Sequence, residues 1–382
     1  YISIAESQGV SPVDLRGTTQ NDILKEYIAR NTYIYPPKPS IRLIGDMIQY
    51  CSKNVPQWYP ISISGYHMRE AGSNAIQELA FTFANAIEYI ETCVERGLRI
   101  DDFAPRLSFF FCCTMEFFEE IAKFRAARRI YAKIMRDKFH AKNAKSWHLR
   151  FHVQTSGESL TAQQVDNNIV RVTTEALAAV LGGCQSLHTN SRDEALALPT
   201  EESVKIALRT QQIISTETGV VKTVDPMSGS YYVEYLTSRI EEEVDKYLKK
   251  INRIGGALAA VEKGYFQDEI RKNAYQLKKD IDEKKRIIVG VNKFQDQQGI
   301  EPNLNIMDTE IERRQVARLK DLKSSRDKIK VDHAISALKK AAENQDDNLM
   351  PHIINAVKSH VTLGEISNTF GQIFGRYEPR VS

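Results

Sequence analysis

Short apolar runs alternate with longer amphipathic segments through the first 230 residues. The runs lie at about 61–65, 106–111, 150–155 and 185–190. They are rich in β-branched or aromatic residues, which predicts strands, and each is followed by helical spacing. A fifth extended segment at about 15–22 precedes a helical pattern that ends near Arg30. Strands that alternate with long helices in this way are typical of parallel β/α architecture.

Polar side chains are predicted to follow these strands. They are Gln20, His67, Ser108, Gln154 and Asn190. Parallel β/α enzymes place their chemistry at the carboxyl ends of strands, so these residues are candidate site residues. For His67 the alternative is a buried histidine that is satisfied by a backbone carbonyl. For Ser108, Gln154 and Asn190 the alternative is that they merely cap the strand ends.

Five units are too few to close an eight-stranded barrel, and they carry no Gly-rich dinucleotide fingerprint. We therefore predict that residues 1–230 form the C-terminal five units of a (β/α)8 TIM barrel, with three further strands upstream. Residues 231–382 are predicted to form a mainly helical domain with a short strand at 287–291 and a polar loop at 295–305. Residue 1 is a tyrosine within a helical pattern, and we expect the chain to be truncated or processed at its N-terminus.

Helix starts are predicted from capping residues. Ser40 is expected to cap a helix that runs to about residue 52, after the prolines at 36, 37 and 39. Thr161 with Gln164 three residues later matches a capping box and predicts that a helix begins there. Phe109, Phe110 and Phe111, with Phe117 and Phe118, are expected in the core rather than around a cofactor.

Composition narrows the function classes. The 382 residues are 42% hydrophobic and carry a net charge of only +3, which gives no basic stripe for nucleic acid. The longest apolar run, at 107–114, is too short to cross a bilayer. The 5 cysteines show no CxxC or metal-ligand spacing, so we expect no metal site and free thiols in a reducing, cytoplasmic compartment.

Five motifs, in their order along the chain, resemble the large catalytic chain of coenzyme B12-dependent acyl-CoA mutases, and within that family the methylmalonyl-CoA mutases. They are TTQNDILKE at 18–26, SISGYH at 62–67, APRLSFF at 104–110, QTSG at 154–157 and SLHTN at 186–190. The resemblance runs through essentially the whole chain. It implies a radical isomerisation of (R)-methylmalonyl-CoA to succinyl-CoA that depends on adenosylcobalamin.

The resemblance also implies roles for individual residues. His67 donates a hydrogen bond to the migrating thioester carbonyl, and Tyr66 lies between the substrate and the corrin. Gln20, Thr18 and Thr19 are placed near the thioester and the CoA chain, and Arg106 and Ser108 are placed in contact with CoA. The residues placed on the cofactor side are Gln154, Asn190 and Glu194. The alternatives without a functional role are a surface ion pair for Arg106 and an ordinary core position for Tyr66.

The residue type at position 30, an arginine in this chain, distinguishes between the candidate substrates. The resemblance places it near the free carboxylate of the substrate, and mutases for uncharged acyl groups carry glutamine there. The alternative is that Arg30 only interacts favourably with the negative end of the helix dipole. Two departures from the family pattern are Thr19 for a usual isoleucine and Gln57 where relatives often carry a lysine toward the CoA phosphates.

The cobalt-binding motif Asp-x-His-x-x-Gly of the family is absent, since none of the 8 histidines follows an aspartate two positions earlier. The resemblance therefore implies a separate small cobalamin-binding subunit and a hetero-oligomer or dimer. Two rival functions stay open: a sister mutase for ethylmalonyl-, isobutyryl- or 2-hydroxyisobutyryl-CoA, and a non-catalytic structural subunit. Retention of Tyr66, His67, Arg30 and Gln20 together argues against the latter.

Overall fold

The computed structural model describes residues 1–296, 305 and 308–378. Its strands are β1 (Gly17–Thr18), β2 (Trp58–Tyr59), β3 (Ile61–Ser64), β4 (Leu107–Cys113), β5 (Phe151–Thr155) and β6 (Ser186–His188). Its α-helices are α1 (Ile2–Ser7), α2 (Ile23–Lys25), α3 (Pro37–Asn54), α4 (Tyr66–Glu70), α5 (Ala75–Glu95), α6 (Ile100–Phe103), α7 (Phe117–Lys133), α8 (Asn167–Leu181), α9 (Glu201–Glu217), α10 (Tyr231–Ile254), α11 (Gly256–Glu262), α12 (Tyr265–Asp282), α13 (Glu310–Ser325), α14 (Lys328–Glu343), α15 (Leu349–Lys358) and α16 (Leu363–Phe374). Shorter turns are the π-helices Glu26–Arg30 and Ile134–Lys138 and the 3-10 helices Pro12–Asp14, Ala104–Arg106, Ala144–Trp147 and Val220–Lys222.

The strands lie side by side in the order in which they occur along the chain. β3, β4, β5 and β6 form a four-stranded parallel sheet, and β1 pairs in parallel with β2. β2 and β3 are separated only by Pro60, which has no backbone N–H to donate to a neighbouring strand. The predicted parallel β/α architecture is therefore confirmed.

The two faces of the sheet differ in chemistry. Ile63, Phe109, Phe111 and Val153 belong to the main apolar core. On that side Phe109 meets Tyr131 of α7, with ring centroids 5.0 Å apart. The strand residues that alternate with these core positions face the other side of the sheet and are mostly polar. They line an open cavity of about 430 Å³ whose walls include Ser62, Ser108, Phe110, His152 and Ser186. All residues of β3 and all but Ser108 of β4 are buried, whereas β5 alternates between buried and half-buried positions.

The C-terminal helices pack in two places. α10, α11 and α12 contribute Val233, Ile240, Ala257 and Phe266 to the same core as the sheet. α14, α15 and α16 form a second core that also includes Tyr35. Arg42 of α3 joins the two cores, because its guanidinium donates to carbonyls at the end of α14 and beyond: Ala341, Ala342, Asn344 and Asp347.

Three local predictions are wrong. α3 begins at Pro37 and not after Ser40, since proline tolerates the first turn of a helix. α8 begins at Asn167, because Asn168 hydrogen-bonds both backbone groups of Thr161 and Gln164 adopts a left-handed φ of 48°. No strand forms at 287–291, where the Asn292 side chain binds backbone groups and holds a turn with an isolated bridge between Val289 and Lys293.

Most of the predicted loop at 295–305 lies outside the described residues. No helix in the described part of the chain is both long and apolar enough to cross a membrane.

A buried ion cluster fixes the carboxyl end of β4. The Lys123 ammonium lies 2.7 Å from Glu78 Oε2 and also pairs with Glu120, and all three side chains are fully buried. Glu78 Oε1 accepts from the backbone N–H of Cys112, and Arg69 of α4 reaches Glu120 at 3.6 Å. Burial alone would lower the pKa of Lys123, but Glu120 and Glu78 raise it above its ordinary value. The cluster therefore ties α4, α5 and α7 to one strand.

Replacing Lys123 with methionine should destabilise the fold by about 3–5 kcal/mol, because it leaves Glu78 and Glu120 buried without their shared cation. Lys133→Met is the matched control on the same helix, since that lysine is half-exposed in its pair with Glu241 and should cost at most about 1 kcal/mol. Urea unfolding of both variants measures the difference. Equal losses would mean that the buried cluster does not stabilise the fold.

Candidate functional site

The site begins where β3 ends. Gly65 follows the strand directly, and α4 starts at the next residue, so Tyr66 and His67 lie in the first turn of a helix at the carboxyl end of β3. A Cβ on Gly65 would lie 2.6 Å from Thr82 Oγ1 and 2.7 Å from Glu78 Cγ. Only glycine lets this turn approach α5 so closely.

His67 is held in an environment that keeps its ring neutral. Its Nε2 lies 3.3 Å from the ammonium of Lys25, and its ring meets the ring of Phe110 edge to face at 5.6 Å. Burial, reinforced by the positive charges of Lys25 and Arg30, lowers the pKa of His67 to about 3. No backbone carbonyl accepts from the ring in the described structure, and Nδ1 is buried without a hydrogen-bond partner there. The carbonyl-satisfied alternative is therefore not what is observed.

Tyr66 stacks on a residue that was expected to be core. Its ring lies parallel to that of Phe110, with centroids 4.8 Å apart and an interplanar angle of 5°. Phe110 is not part of the main core, and it also contacts His152 at 5.1 Å. Phe110 is only 5% exposed, so it is buried as predicted, and strand alternation turns it to the face opposite Phe109. The prediction that Phe118 is core is wrong, since that side chain is 45% exposed. Burial, with the carboxylate of Glu70 adding to it, raises the pKa of Tyr66, so the hydroxyl keeps its proton.

Amide and carboxylate groups converge at the carboxyl ends of β5 and β6. Gln154 Nε2 donates to Asn190 Oδ1 at 2.8 Å, and Asn190 is only 2% exposed. A Cβ on Gly157 would lie 3.0 Å from Glu70 Oε2, 3.5 Å from Asn190 Nδ2 and 3.7 Å from the Tyr66 hydroxyl. The glycine therefore keeps the space between these groups open.

Glu70 orders this loop and was missed by the sequence analysis. Its Oε1 accepts from Ser156 Oγ at 2.6 Å and from the N–H of Gly157 at 3.1 Å, and its Oε2 accepts from the N–H of Glu158 at 2.9 Å. Glu194 lies in the turn after β6, where partial desolvation of its carboxyl group and the neighbouring Asp193 raise its pKa. The spacing of Glu70, one helical turn after Tyr66, was the available signal.

Arg30 lies in a π-helical turn. α2 passes into the π-helix Glu26–Arg30, which ends at Asn31 in a left-handed conformation. Glu26 accepts from Lys25 at 2.7 Å and lies 3.9 Å from the Nε of Arg30, whose side chain is half-exposed. Glu26 is therefore shared by two cations, of which Arg30 is the more accessible.

A second group of predicted residues lies further toward the amino ends of the strands. Thr18, Gln20 and Ser108 line the 430 Å³ cavity. The prediction that Ser108 ends its strand is wrong, since it is the second residue of β4 and donates to the carbonyl of Ile61 at 2.7 Å. The strand continues to Cys113, which pairs with Thr155 of β5, and every residue from Phe109 onward is buried.

The remaining residues lie near β2. The Arg106 guanidinium lies over the ring of Tyr59 at 5.3 Å, so it is not a simple surface ion pair. Thr19 accepts from the indole N–H of Trp58 at 2.9 Å. Gln57 accepts from Arg16 Nε at 2.8 Å, which places a cation beside the position that departs from the family pattern.

The cavity also contains two residues that the sequence analysis missed. Arg150 and His152 line it, and burial lowers the pKa of His152 to about 4. Arg150 directly precedes β5, and His152 is the second residue of that strand. The alternation of apolar and polar positions in β5 was the signal that could have identified His152.

Comparison with known proteins identifies the family. The sequence pattern described as methylmalonyl-CoA mutase matches residues 1–376. The chain is 49% identical over 378 residues to the methylmalonyl-CoA mutase of Escherichia coli (strain K12), covering 99% of this chain and 53% of that protein. It is 46% identical over 379 residues to the mitochondrial methylmalonyl-CoA mutase of Homo sapiens, covering 99% of this chain and 50% of that protein.

A relative with a different name is nearly as similar. The 2-hydroxyisobutanoyl-CoA mutase large subunit of Aquincola tertiaricarbonis is 44% identical over 378 residues, which cover 99% of this chain and 67% of that protein. The chain thus spans about half the length of the methylmalonyl-CoA mutases that it matches. The resemblance found in the sequence motifs is confirmed, and the chain belongs to the methylmalonyl-CoA mutase family.

Proposed function

We propose that this chain carries the acyl-CoA site of an adenosylcobalamin-dependent isomerase that converts (R)-methylmalonyl-CoA to succinyl-CoA. The observation that carries the proposal is the position of Arg30, an accessible guanidinium beside a neutral His67. A guanidinium fork binds a carboxylate with two charge-assisted hydrogen bonds, which the amide of a glutamine cannot do.

The charges around His67 favour an acyl group with a free carboxylate. Lys25 and Arg30 bring two positive charges, and Glu26 brings one negative charge to both of them. One positive charge is left uncompensated within this group. A substrate carboxylate would balance it, whereas an uncharged acyl group would leave it unpaired.

His67 then acts as a hydrogen-bond donor to the thioester carbonyl. Because its pKa is far below neutrality, it donates without being a cation, which suits a carbonyl that gains only partial negative charge. Thr18, Thr19 and Gln20 with Ser108 and Arg106 hold the acyl end and the CoA chain along the polar face of the sheet. The cavity of about 430 Å³ on that face supports this path.

The residues at the carboxyl ends of β5 and β6 fit adenosylcobalamin. Gly157 leaves open a space onto which Glu70, Asn190 and Tyr66 converge, and these groups can bind ribose hydroxyls and corrin amides. Gln154, Asn190 and Glu194 would hold the cofactor from this side, with Tyr66 between it and the substrate. When bound, adenosylcobalamin supplies the carbon radical that abstracts hydrogen. This chain's residues orient the substrate and keep water from the site.

The proposed architecture follows the sequence prediction. Residues 1–230 are proposed to be five consecutive units of a (β/α)8 barrel, which the sequential order of the parallel strands within each of the two sheets supports. Residues 231–382 are proposed as the mainly helical domain. The large-subunit name of the Aquincola relative supports a small cobalamin-binding subunit as partner in a hetero-oligomer. Free thiols at all 5 cysteines suit a cytoplasmic location.

A sister mutase is the second candidate, because the 2-hydroxyisobutanoyl-CoA mutase relative is 44% identical. Arg30 argues against an uncharged acyl group. A non-catalytic subunit is disfavoured because the chain retains Tyr66, His67, Arg30 and Gln20 together, and His67 contacts both Lys25 and Phe110.

Arg30→Gln should lower kcat/KM for methylmalonyl-CoA by about 100- to 1,000-fold, because it leaves the substrate carboxylate without its charged partner. Uncharged acyl-CoA substrates should lose far less. The matched control is Arg99→Gln, since Arg99 is 83% exposed in a surface pair. The measurement is kcat/KM for both substrate types in the assembled enzyme, and equal losses for both would show that Arg30 does not bind the carboxylate.

Cobalamin binding tests the proposed partner. These 382 residues alone should bind adenosylcobalamin weakly and show no turnover, and adding a small subunit that carries Asp-x-His-x-x-Gly should restore both. Absorbance titration with adenosylcobalamin measures the first and succinyl-CoA formation the second. Tight binding by this chain alone, with the lower cobalt ligand replaced by a residue of this chain, would contradict the split arrangement.

A further inference from the structure

Lys25 is a buried cation that contacts both a carboxylate and an imidazole. Its side chain is only 2% exposed, and its ammonium lies 2.7 Å from Glu26 Oε1 and 3.3 Å from His67 Nε2. Lysine is rarely buried unless it is paired, because taking its charge out of water is costly. A surface ion pair with Glu26 would avoid that cost. The buried position therefore calls for an explanation in terms of His67.

The fold holds Lys25 and His67 together from both sides. Asp22 caps α2 by accepting from the N–H of Lys25 at 3.2 Å, and its other oxygen accepts from the N–H of Ser64 at 2.9 Å. The Tyr89 hydroxyl donates to the same carboxylate at 2.5 Å. Asp22 thus joins the start of α2 to the end of β3, three residues before His67. The distance between the ammonium and the imidazole is set by this junction.

The contact decides where the proton of His67 lies. An ammonium has three donors and no acceptor, so the nitrogen that faces it must be the acceptor of the ring. A neutral imidazole carries one N–H, which then lies on Nδ1. In the described structure Nδ1 is buried and has no hydrogen-bond partner. Its N–H is the one donor of the ring that stays unused.

We propose that Lys25 is a positioning residue for His67: its ammonium fixes the imidazole as the neutral Nδ1–H tautomer, and this N–H is the donor for the acyl carbonyl. The inference rests on the proposed function for the identity of the acceptor, whereas the tautomer itself does not depend on it. Lys25 need not touch the substrate. It acts through the proton position and charge state of His67.

The charged groups around the ring set the direction of the pH effect. They are Lys25 at the end of α2 and Glu26 and Arg30 in the π-helical turn that follows it. The helix of His67 contributes the uncharged phenol of Tyr66, and β4 contributes the uncharged ring of Phe110. Burial and the two cations lower the pKa of His67 to about 3. Removing Lys25 removes a like charge, so the pKa of His67 should rise while Arg30 and burial still hold it below its ordinary value.

The test uses NMR of the chain with ¹⁵N-labelled histidine, in which His67→Gln identifies the His67 signals among those of the 8 histidines. The wild-type ring should be the Nδ1–H tautomer and stay neutral at mildly acidic pH. Lys25→Met should mix the tautomers and raise the pKa of His67. Lys25→Arg keeps a cation and should preserve the wild-type tautomer, and Lys38→Met, at an exposed lysine, should change neither property.

Turnover in the assembled enzyme gives the second readout. Lys25→Met should lower kcat by about 10- to 100-fold, the scale for losing a partner that orients a functional group, with much less change in KM. Lys25→Arg should recover part of that loss.

An Nε2–H tautomer in the wild type, or an unchanged tautomer and pKa in Lys25→Met, would overturn the inference. If Lys25→Met does not fold, the wild-type tautomer and Lys25→Arg decide it. If the tautomer is Nδ1–H but the assembled enzyme does not isomerise methylmalonyl-CoA, the proposed function is contradicted and the role of Lys25 is supported. The acceptor of this N–H would then be a group other than the acyl carbonyl of methylmalonyl-CoA.

Discussion

The site depends on buried carboxylates that hold the carboxyl ends of two neighbouring strands. Glu78 accepts from the N–H of Cys112 in β4 and binds Lys123, and it packs against the turn at Gly65. Asp22 performs the same function on the other side, where it accepts from Ser64 at the end of β3. Strand ends leave backbone donors without partners, and a buried carboxylate satisfies them at a fixed place. The turn that carries Tyr66 and His67 is therefore held from two directions.

The charged side chains of the site form two sets, and the stacked rings of Tyr66 and Phe110 lie next to both of them. The cations Lys25 and Arg30 act on His67, whose pKa falls. Carboxylates act on Tyr66, where Glu70 and Glu194 add to the effect of burial and raise its pKa. His67 is thereby kept as a neutral imidazole and Tyr66 as a protonated phenol. Adjacent positions in one helical turn thus present two uncharged hydrogen-bonding groups between opposite charges.

The sequence predicted the fold class and much of this arrangement. Strand-to-helix alternation predicted the parallel sheet, and the polar residues at the strand ends predicted that His67, Gln154 and Asn190 lie near the carboxyl ends of β3, β5 and β6. Ser108 was misplaced because a continuous apolar run does not show where its strand ends. The start of α8 was misplaced because Asn168 binds the backbone of Thr161, which a capping pattern cannot reveal.

Lys25 was missed for a different physical reason. A lysine in an amphipathic helix is ordinarily placed on the solvated face, and only the three-dimensional junction at Asp22 shows that this one is buried. The stacking of Phe110 on Tyr66 was missed because its neighbours Phe109 and Phe111 belong to the main core, and only strand alternation turns Phe110 to the other face.

The central claim is that His67 is a neutral donor to a carbonyl whose negative charge grows during the rearrangement. The most direct measurement is kcat and KM for methylmalonyl-CoA in the assembled His67→Ala enzyme, with folding checked by circular dichroism. The account predicts that kcat falls by about 100- to 1,000-fold, the scale for losing one preorganised donor, while KM changes much less. An unchanged kcat in the folded, assembled variant would contradict it and return His67 to a structural role.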